Sequence, residues 1–354
     1  MPGMKQNGRA FTLVELLVVI GIIAILISIL LPSLGAARRQ ANAVACAANL
    51  RNILQAMQSY AAQYGGYIPG SPNTTGYHIM TRANPASQDN VNEVTQIFDW
   101  HAPLARIMGL RFNTGGSIAD RQERMFTLLR HPTFTCPENT LLATVFAQNG
   151  INASQWPTQP WLSYNIAAVF LWRGFETTPP SLNGVSQIQR TYAATFYNPP
   201  VSYVPKITKI GKMANKIYVG DGARFFTAST GALTYNPDCI ASTGGSYADP
   251  GAYTRFSRAW DRGRAPGNGV STGPDGRPMS FRHGQRRPFG PADSYRANFG
   301  FFDGHVESLG DLQAANPNLW LPKGTRIPAG TSEMYPDVVN KYLPGVTGTY
   351  TVPE

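Results

Sequence analysis

The sequence contains an apolar run that is long enough to cross a membrane. The run extends from Phe11 to Leu31, and its 21 residues include three polar side chains, Thr12, Glu15 and Ser28. At a helical rise of about 1.5 Å per residue, this length covers about 31 Å, which matches the hydrocarbon core of a bilayer. We therefore predict a single transmembrane helix at 11–31.

An acidic residue lies inside this run. An ionised carboxylate within a bilayer costs about 2.5–3.5 kcal/mol on insertion scales, so such residues tend to serve a function. A simple uncleaved anchor explains the length of the run but gives no reason for Glu15. A conventional secretory signal cut near Ala37 would need an unusually long apolar region with a carboxylate inside it.

The residues around the run resemble the class III signal of the type IV prepilin and pseudopilin family. A short basic segment, Lys5 to Ala10, precedes the run. In that family a peptidase cuts before the apolar segment, so the resemblance implies a cut between Ala10 and Phe11 and N-methylation of Phe11. Glu15 then stands where family members carry the glutamate used in assembly, and Pro32 where many have a helix-bending proline. Ala10 departs from the Gly that the family prefers before the cut, which bears on cleavage efficiency.

The resemblance also implies a location and partners. Lys5 and Arg9 precede the span while Arg38 and Arg39 follow it, so positive charges do not decide the orientation. Members of the family are single-pass proteins of the bacterial inner membrane, with a cytoplasmic N-terminus and a globular domain in the periplasm or on the cell surface. The implied partners are prepilin peptidase, other pilin-like subunits in a homo- or hetero-filament, and the inner membrane.

Composition favours a loop-rich β domain after the membrane helix. Charged residues make up 14% of the chain and aromatic residues 11%, and there are 35 Gly and 28 Pro. The aromatic content argues against disorder, and the remaining chain is long enough for one large core. The net charge is +10, but the basic residues are scattered apart from 255–264 and 282–287, and no nucleic-acid-binding module accompanies them. We expect no specific nucleic-acid partner.

Apolar periodicity extends the helix well beyond the membrane. After Pro32, apolar residues recur at steps of three and four as far as Tyr64, and Gly65-Gly66 supplies a stop. Pro32 removes one backbone hydrogen bond, which predicts a bend at the membrane surface.

These features divide the chain into three parts. We predict a cytoplasmic leader at 1–10, a long helix at 11–64 and an extracytoplasmic globular β-rich domain at 65–354. The predicted fold class is α+β and pilin-like: the long helix packs by one face on an antiparallel β-sheet domain with long loops.

Two further motifs resemble a subset of prepilin-like proteins. The first begins at Cys46-x-x-Asn49-Leu50-Arg51 and continues to Gly66-Tyr67-Ile68-Pro69. The second begins at Arg282-His283-Gly284 and ends, after a spacer, in Asn298, Phe301, Asp303, Gly304, His305 and Val306. Nineteen residues separate His283 from Asp303, about twice the spacer of that group, a departure that weakens the case for direct contact.

The chain has three cysteines, Cys46, Cys136 and Cys239. Their spacing is not that of metal ligands, so no zinc site is indicated. An oxidising compartment permits one disulfide and leaves one thiol over. Because resembling proteins often carry a Cys at both places, the resemblance implies a pair between Cys46 and Cys136.

Two Asp-Gly pairs each follow an apolar segment. Lys216 to Phe226 and Ala297 to Leu309 are both predicted to be two strands joined by an Asp-Gly turn, at Asp221-Gly222 and Asp303-Gly304.

Four residues invite a catalytic or metal-binding interpretation: Asp221, His283, Asp303 and His305. Hairpin turns with a hydrogen-bonded histidine explain them without chemistry. The sequence has no nucleophile elbow, HExxH, phosphate loop or EF-hand spacing. We therefore predict no catalytic residue, no enzyme activity and no cofactor, while a structural calcium ion without assignable ligands stays open.

The function that these predictions favour is a structural filament subunit. A type II secretion pseudopilin is the first choice and a type IV pilus-like surface filament the second. A membrane-anchored surface adhesion or binding protein that is not assembled into a filament is the alternative from another class, and a carbohydrate-active enzyme is a distant third.

Overall fold

A long helix and the sheet on which it packs dominate the computed structural model. The structure describes residues 12–70, 95, 99–140, 142–145, 154, 156, 158, 160–171, 199–222, 226–227, 233–235, 247–248, 251–253, 279–284, 291–328 and 334–353. The helices are α1 Leu13–Gln63, α2 His101–Ile107, α3 Ile118–Arg130, α4 Asp311–Ala314 and α5 Pro336–Tyr342. The described residues also contain short 3-10 helices at Pro132–Phe134, Ala168–Leu171, Ile207–Lys209, Met213–Asn215 and Pro317–Leu319.

Helix α1 is about 77 Å long at 1.5 Å per residue. It passes through Pro32 without interruption, and the bend at that residue stays a prediction. The helix ends as the two glycines predict: Gly65 and Gly66 have φ angles of 61° and 82°. The Gly66 N–H donates to the Ala61 carbonyl at 2.7 Å, which satisfies one of the last free carbonyls of the helix.

The described strands form one main sheet and two small ones. The strands are β1 Thr144–Val145, β2 Tyr164–Ala167, β3 Ile217–Asp221, β4 Phe226–Thr227, β5 Leu233–Tyr235, β6 Tyr247–Ala248, β7 His283–Gly284, β8 Tyr295–Phe301, β9 Val306–Gly310, β10 Arg326–Pro328 and β11 Thr349–Thr351. The main sheet has six strands in the order β6-β2-β3-β8, with β7 and β9 both paired to β8. Its pairs are antiparallel except β2 with β6. The small sheets are β1-β5-β4 and β10-β11.

The register brings the ends of two strands together beside β8. Gly220 of β3 pairs with Phe299, and His283 of β7 pairs with Arg296. Because β9 pairs with the same part of β8, it must lie along the opposite edge, and β3 and β7 therefore share one edge. The carboxyl end of β3 consequently meets the start of β7 next to the middle of β8.

The second half of α1 packs on this sheet. Its buried face consists of Cys46, Leu50, Ile53, Leu54, Ala56, Met57, Tyr60 and Ala61, which follow the predicted steps of three and four. The helix approaches β8 so closely that a Cβ on Gly300 would lie 2.8 Å from Leu54 Cδ1. The predicted α+β fold, with a long N-terminal helix on an antiparallel sheet, is thereby confirmed.

The two Asp-Gly pairs do not form the predicted turns. β3, which ends at Asp221, pairs with β2 and β8, whereas β4 pairs with β5 in another sheet, so the predicted 216–226 hairpin is wrong. β8 and β9 do form the predicted second hairpin. Its turn is centred on Phe302 and Asp303, because the Gly304 N–H donates to the Phe301 carbonyl at 3.0 Å.

Candidate functional site

The first half of α1 exposes its apolar side chains on all sides. From Leu13 to Leu34 its leucine, isoleucine and valine side chains are exposed, and none of the apolar window that could span a membrane is buried. By length and composition this helix can cross a membrane. Ala10 and Phe11, the predicted cleavage and methylation residues, lie outside the described residues.

Glu15 caps the start of α1. The Thr12 N–H donates to Glu15 Oε2 at 2.9 Å, and the Glu15 N–H donates to Thr12 Oγ1 at 3.2 Å. This reciprocal arrangement is a capping box, which satisfies two of the free amides at a helix N-terminus. Glu15 thus has a local structural role that the sequence interpretation did not include.

A disulfide fastens the middle of α1 to the globular domain. It joins Cys46 to Cys136, which follows the 3-10 helix Pro132–Phe134. Three residues after Cys46, Asn49 Nδ2 donates to the carbonyls of Pro132 and Thr135, at 2.9 and 3.0 Å. The Cys-x-x-Asn motif therefore binds the loop of Cys136 through one covalent bond and two hydrogen bonds.

Two residues of the C-terminal motif, His283 and Asn298, lie next to this attachment of α1. Asn298 of β8 donates from Nδ2 to the Ala43 carbonyl of α1 at 3.0 Å, and its N–H donates to Asp221 Oδ2 at 2.7 Å. His283 Nε2 lies 3.1 Å from the same Asp221 oxygen. We call Cys46, Cys136, Asp221 and His283 the junction cluster, because they meet where α1 joins the sheet.

The junction cluster is buried and carries a compensated charge. Asp221 is fully buried and His283 is 7% exposed. Arg282 is also buried: its Nη1 donates to the Ser163 carbonyl at 2.9 Å and lies 3.9 Å from Asp221 Oδ1. The guanidinium therefore supplies the counter-charge that a buried carboxylate needs.

Tyr164 closes the cluster on the side of β2. Its hydroxyl donates to the Cys46 carbonyl at 3.4 Å. Burial, reinforced by the nearby Asp221 carboxylate, raises the pKa of the Tyr164 hydroxyl far above its usual value. The phenol accordingly stays protonated and acts as a hydrogen-bond donor at any ordinary pH.

A surface groove adjoins the cluster on one side. Its volume is about 660 Å³, and it lies between α1 and the strands β7, β8 and β9. His283 and Asn298 line the groove, together with the basic side chains of Arg39 and Arg296. A small ion can therefore approach His283 without crossing the core.

The remaining motif residues lie in the β8–β9 turn, away from the cluster. Asp303 Oδ1 accepts from the His305 N–H at 3.2 Å and lies 2.6 Å from His305 Nδ1. The His305 ring stacks on Phe301 with a centroid distance of 4.1 Å. His283 pairs with Arg296 near one end of β8, and Asp303 follows the other end, roughly 20 Å away at the rise of a strand.

The sequence analysis did not predict that Asp221 and Arg282 belong to this site. It treated Asp221 as a turn residue and Arg282 only as part of a motif. A signal was available, because Asp221 directly follows Ile217–Gly220 and thus ends a strand that is buried throughout. A carboxylate at the end of such a strand needs buried partners.

Comparisons with known proteins match part of the chain. Residues 5–31 match the family model described as the prokaryotic N-terminal methylation motif. The chain is also similar to the type IV wide pilus major component PilA4 of Thermus thermophilus, with 42% identity over 62 residues. Both matches support a relation to prepilin-like proteins.

These matches cover only part of the chain. The aligned region covers 18% of this chain and 47% of the Thermus pilin, so the chain spans about half the length of that relative. No solved structure matches the chain. The family model therefore concerns the membrane helix and the segment before it, and the case for the C-terminal motif depends on its own geometry.

Proposed function

We propose that this prepilin-like chain is a structural subunit that is cleaved between Ala10 and Phe11 and assembled through α1 into a filament. The observation that carries the proposal is the contrast within α1. Its first half exposes apolar side chains all round, whereas one face of its second half is buried against the sheet. A helix of this kind can leave the bilayer and bury the same apolar surface against neighbouring helices.

The contacts that attach the second half of α1 to the domain suit a subunit that must withstand a pulling force. The disulfide at Cys46, the two hydrogen bonds of Asn49 and the bond from Asn298 to Ala43 all hold α1 to the domain within about two turns. A pull along α1 would therefore be transmitted to the domain through a covalent bond.

The proposal includes an orientation, a location and partners. The N-terminus faces the cytoplasm, and the helix 11–31 crosses the bacterial inner membrane once. The domain at 65–354 lies in the periplasm or on the cell surface. Prepilin peptidase cuts the leader 1–10 and Phe11 becomes N-methylated. Other pilin-like subunits form the filament.

Processing is the first test. Intact-mass and N-terminal peptide analysis of protein extracted from membranes should give a mature terminus at Phe11 that carries an added methyl group. An uncut chain, or a terminus near Arg38, would contradict the proposal. The uncut outcome would favour the alternative of a membrane-anchored surface adhesion protein outside any filament.

A pair of variants at Glu15 tests assembly. We propose that the carboxylate neutralises the α-amine of Phe11 in an adjacent subunit, because each buried charge alone is costly. Glu15→Ala should be cut and membrane-bound but absent from filaments. Glu15→Gln is the matched control, because a glutamine can also complete the capping box.

The glutamine variant separates the two roles of Glu15. If charge pairing matters, Glu15→Gln should fail to assemble as Glu15→Ala does. Normal assembly of Glu15→Gln, with a defect only in Glu15→Ala, would assign the residue to helix capping and refute the pairing.

The type of filament needs a cellular measurement. The similarity to a type IV pilus component supports a pilus-like surface filament. Deletion of the gene should then remove surface filaments that an antibody to the domain decorates. Loss of protein secretion with surface filaments intact would instead indicate a type II secretion pseudopilus.

A further inference from the structure

The junction cluster has the composition of a metal site. One ligand atom from each of Cys46, Cys136, Asp221 and His283 can be chosen so that all four lie within 4.8 Å of one another, and all four residues are buried. They come from four separate elements: α1, the loop after Pro132–Phe134, the end of β3 and the start of β7. Two thiolates, an imidazole and a carboxylate are ligands that Zn²⁺ binds in tetrahedral sites.

Two polar atoms of the cluster have no hydrogen-bond partner among the described residues. Within the described part of the chain, no group forms a hydrogen bond of suitable geometry with His283 Nε2 or with Asp221 Oδ1, although both atoms are buried. The approach of Asp221 Oδ2 to His283 Nε2 at 3.1 Å is a contact without that alignment. Buried polar atoms without partners cost free energy, so their presence side by side calls for an explanation.

We propose that the junction cluster is a second, metal-binding state of the disulfide site. With Cys46 and Cys136 reduced, the two sulfurs, His283 Nε2 and one oxygen of Asp221 bind one Zn²⁺ ion. With the disulfide formed, the same sulfurs have no charge to offer and the site releases the ion. The disulfide and the metal therefore exclude each other.

The chemistry of the exchange balances. A dithiol reductant transfers two electrons and two protons to the disulfide and is itself oxidised to a disulfide, which leaves thiols at Cys46 and Cys136. Zn²⁺ then displaces the two thiol protons to water, and its two charges are matched by two thiolates. Asp221 adds one negative charge, which Arg282 Nη1, 3.9 Å from Asp221 Oδ1, offsets. The site is neutral in both states.

The movement required is small. Zinc–sulfur bonds of about 2.3 Å at the tetrahedral angle separate two sulfurs by about 3.8 Å. The four ligand atoms already lie within 4.8 Å of one another, close to this spacing, so small shifts of the side chains are enough. The groove lined by His283 gives the ion a path to the site. Both states hold α1 against the sheet, so the exchange preserves the attachment of the helix.

The donor set selects the metal. Ca²⁺ binds oxygen ligands, whereas two thiolates and an imidazole favour Zn²⁺ and other borderline or soft ions. The junction cluster is consequently unsuited to the structural calcium that the sequence left open. Co²⁺ takes the same tetrahedral ligands and has visible absorption bands, so it serves as the spectroscopic probe.

The test compares reduced and oxidised protein. Untagged full-length chain in detergent micelles is reduced under nitrogen with a water-soluble phosphine, which takes oxygen from water and leaves two thiols. Titration with Co²⁺ should give one ion per chain, with thiolate charge-transfer bands and the intense visible bands of tetrahedral cobalt. One equivalent of Zn²⁺ should displace it. The oxidised protein, which has the same sequence and fold, should bind neither ion.

Variants assign the ligands. Cys46→Ser should abolish the charge-transfer bands of the stoichiometric site, and Cys239→Ser, which removes the third cysteine, should leave them unchanged. His283→Gln should weaken Co²⁺ binding at least about tenfold, since even indirect partners of a metal change affinity by 10–100-fold. Circular dichroism of each variant before reduction checks its fold. If His283→Gln does not fold, His283→Ala is compared with the wild-type protein in its place.

Three outcomes would overturn the proposal. The first is a reduced chain that binds no stoichiometric metal. The second is cobalt binding that survives Cys46→Ser but is lost in Cys239→Ser. The third is equal binding by reduced wild-type protein and a folded His283 variant. These results are independent of filament assembly, so a failure here leaves the proposed function untouched.

Discussion

The same dipeptide has opposite roles in two parts of the sheet. Asp221-Gly222 ends β3 in the interior, where the carboxylate is fully buried beside Arg282 and accepts the Asn298 N–H. Asp303-Gly304 lies in the β8–β9 turn, where the Asp303 side chain is 33% exposed. In the first case the aspartate is part of a buried polar network, and in the second it shapes a turn.

The difference shows that the surrounding structure, and not the dipeptide alone, decides whether an Asp-Gly pair forms a turn. Asp and Gly favour chain reversal locally, but β3, which ends at Asp221, pairs with β2 and β8, which lie far away in sequence. Long-range pairing and a buried counter-ion override the local preference there. In the β8–β9 turn the side-chain contacts of Asp303 are with His305, two residues along the chain, and the local preference prevails.

The largest expected effect is at the buried aspartate. Asp221→Asn keeps the shape of the side chain but removes the negative charge that lies 3.9 Å from the buried Arg282 guanidinium. Removal of one member of a buried ion pair costs about 3–5 kcal/mol. Urea unfolding of the oxidised full-length protein in detergent, followed by tryptophan fluorescence, should show a loss of that size in the free energy of unfolding.

A second variant checks the cause. Arg282→Met together with Asp221→Asn removes both charges and should recover part of the loss. If Asp221→Asn alone lowers the free energy of unfolding by less than about 1 kcal/mol, Asp221 is not held as a buried charge. The contrast between the two Asp-Gly pairs would then be refuted.

The next effect concerns the backbone of the exposed turn. Gly304 has a φ of 100°, and a β-branched side chain adopts such a conformation only with strain. A Cβ at this position would lie 2.9 Å from Gln58 Nε2, the flexible end of a side chain that can move away. Gly304→Val should therefore destabilise the protein by about 1–3 kcal/mol, chiefly through backbone strain.

Asparagine at the same position is the matched control. It tolerates positive φ better than valine, so Gly304→Asn should cost clearly less in the same urea titration. Equal losses in the two variants would point to the contact with Gln58 rather than to backbone strain.

The sequence predicts the helix better than the sheet, for a physical reason. The face of α1 and its stop at Gly65 follow from residues within a few turns of one another, so local periodicity is sufficient. The partner of β3 depends on residues about 50 to 80 positions away, and periodicity carries no information about them.

The turn illustrates the same limit on a smaller scale. A two-residue turn would place both Asp303 and Gly304 at positive φ. Among the described residues, Asp293 is the non-glycine residue with positive φ, so Asp303 has an ordinary conformation and Gly304 alone takes the left-handed one. One added loop residue shifts the turn onto Phe302, and the dipeptide does not specify this length.

The candidate site was predictable only in part. The resemblance implied the pairing of Cys46 with Cys136, and the structure contains that disulfide. The meeting of His283 and Asn298 with α1 depends on the order of strands along β8 and could not be read from spacing. The 19-residue spacer separates His283 from Asp303 in space as well, and each belongs to a different part of the sheet.

The smallest expected effect completes the comparison at Asp303. Its carboxylate and the His305 ring are 33% and 43% exposed, and exposed pairs contribute about 0–1 kcal/mol. Asparagine keeps an acceptor for the His305 N–H, so Asp303→Asn should change the free energy of unfolding by less than about 0.5 kcal/mol. Thermal melts with calcium and with a chelator distinguish this turn role from an ion-binding role, which would require the negative charge. If calcium raises the melting temperature of the wild-type protein and Asp303→Asn abolishes that gain, Asp303 is an ion ligand and the two Asp-Gly pairs differ less than their burial suggests.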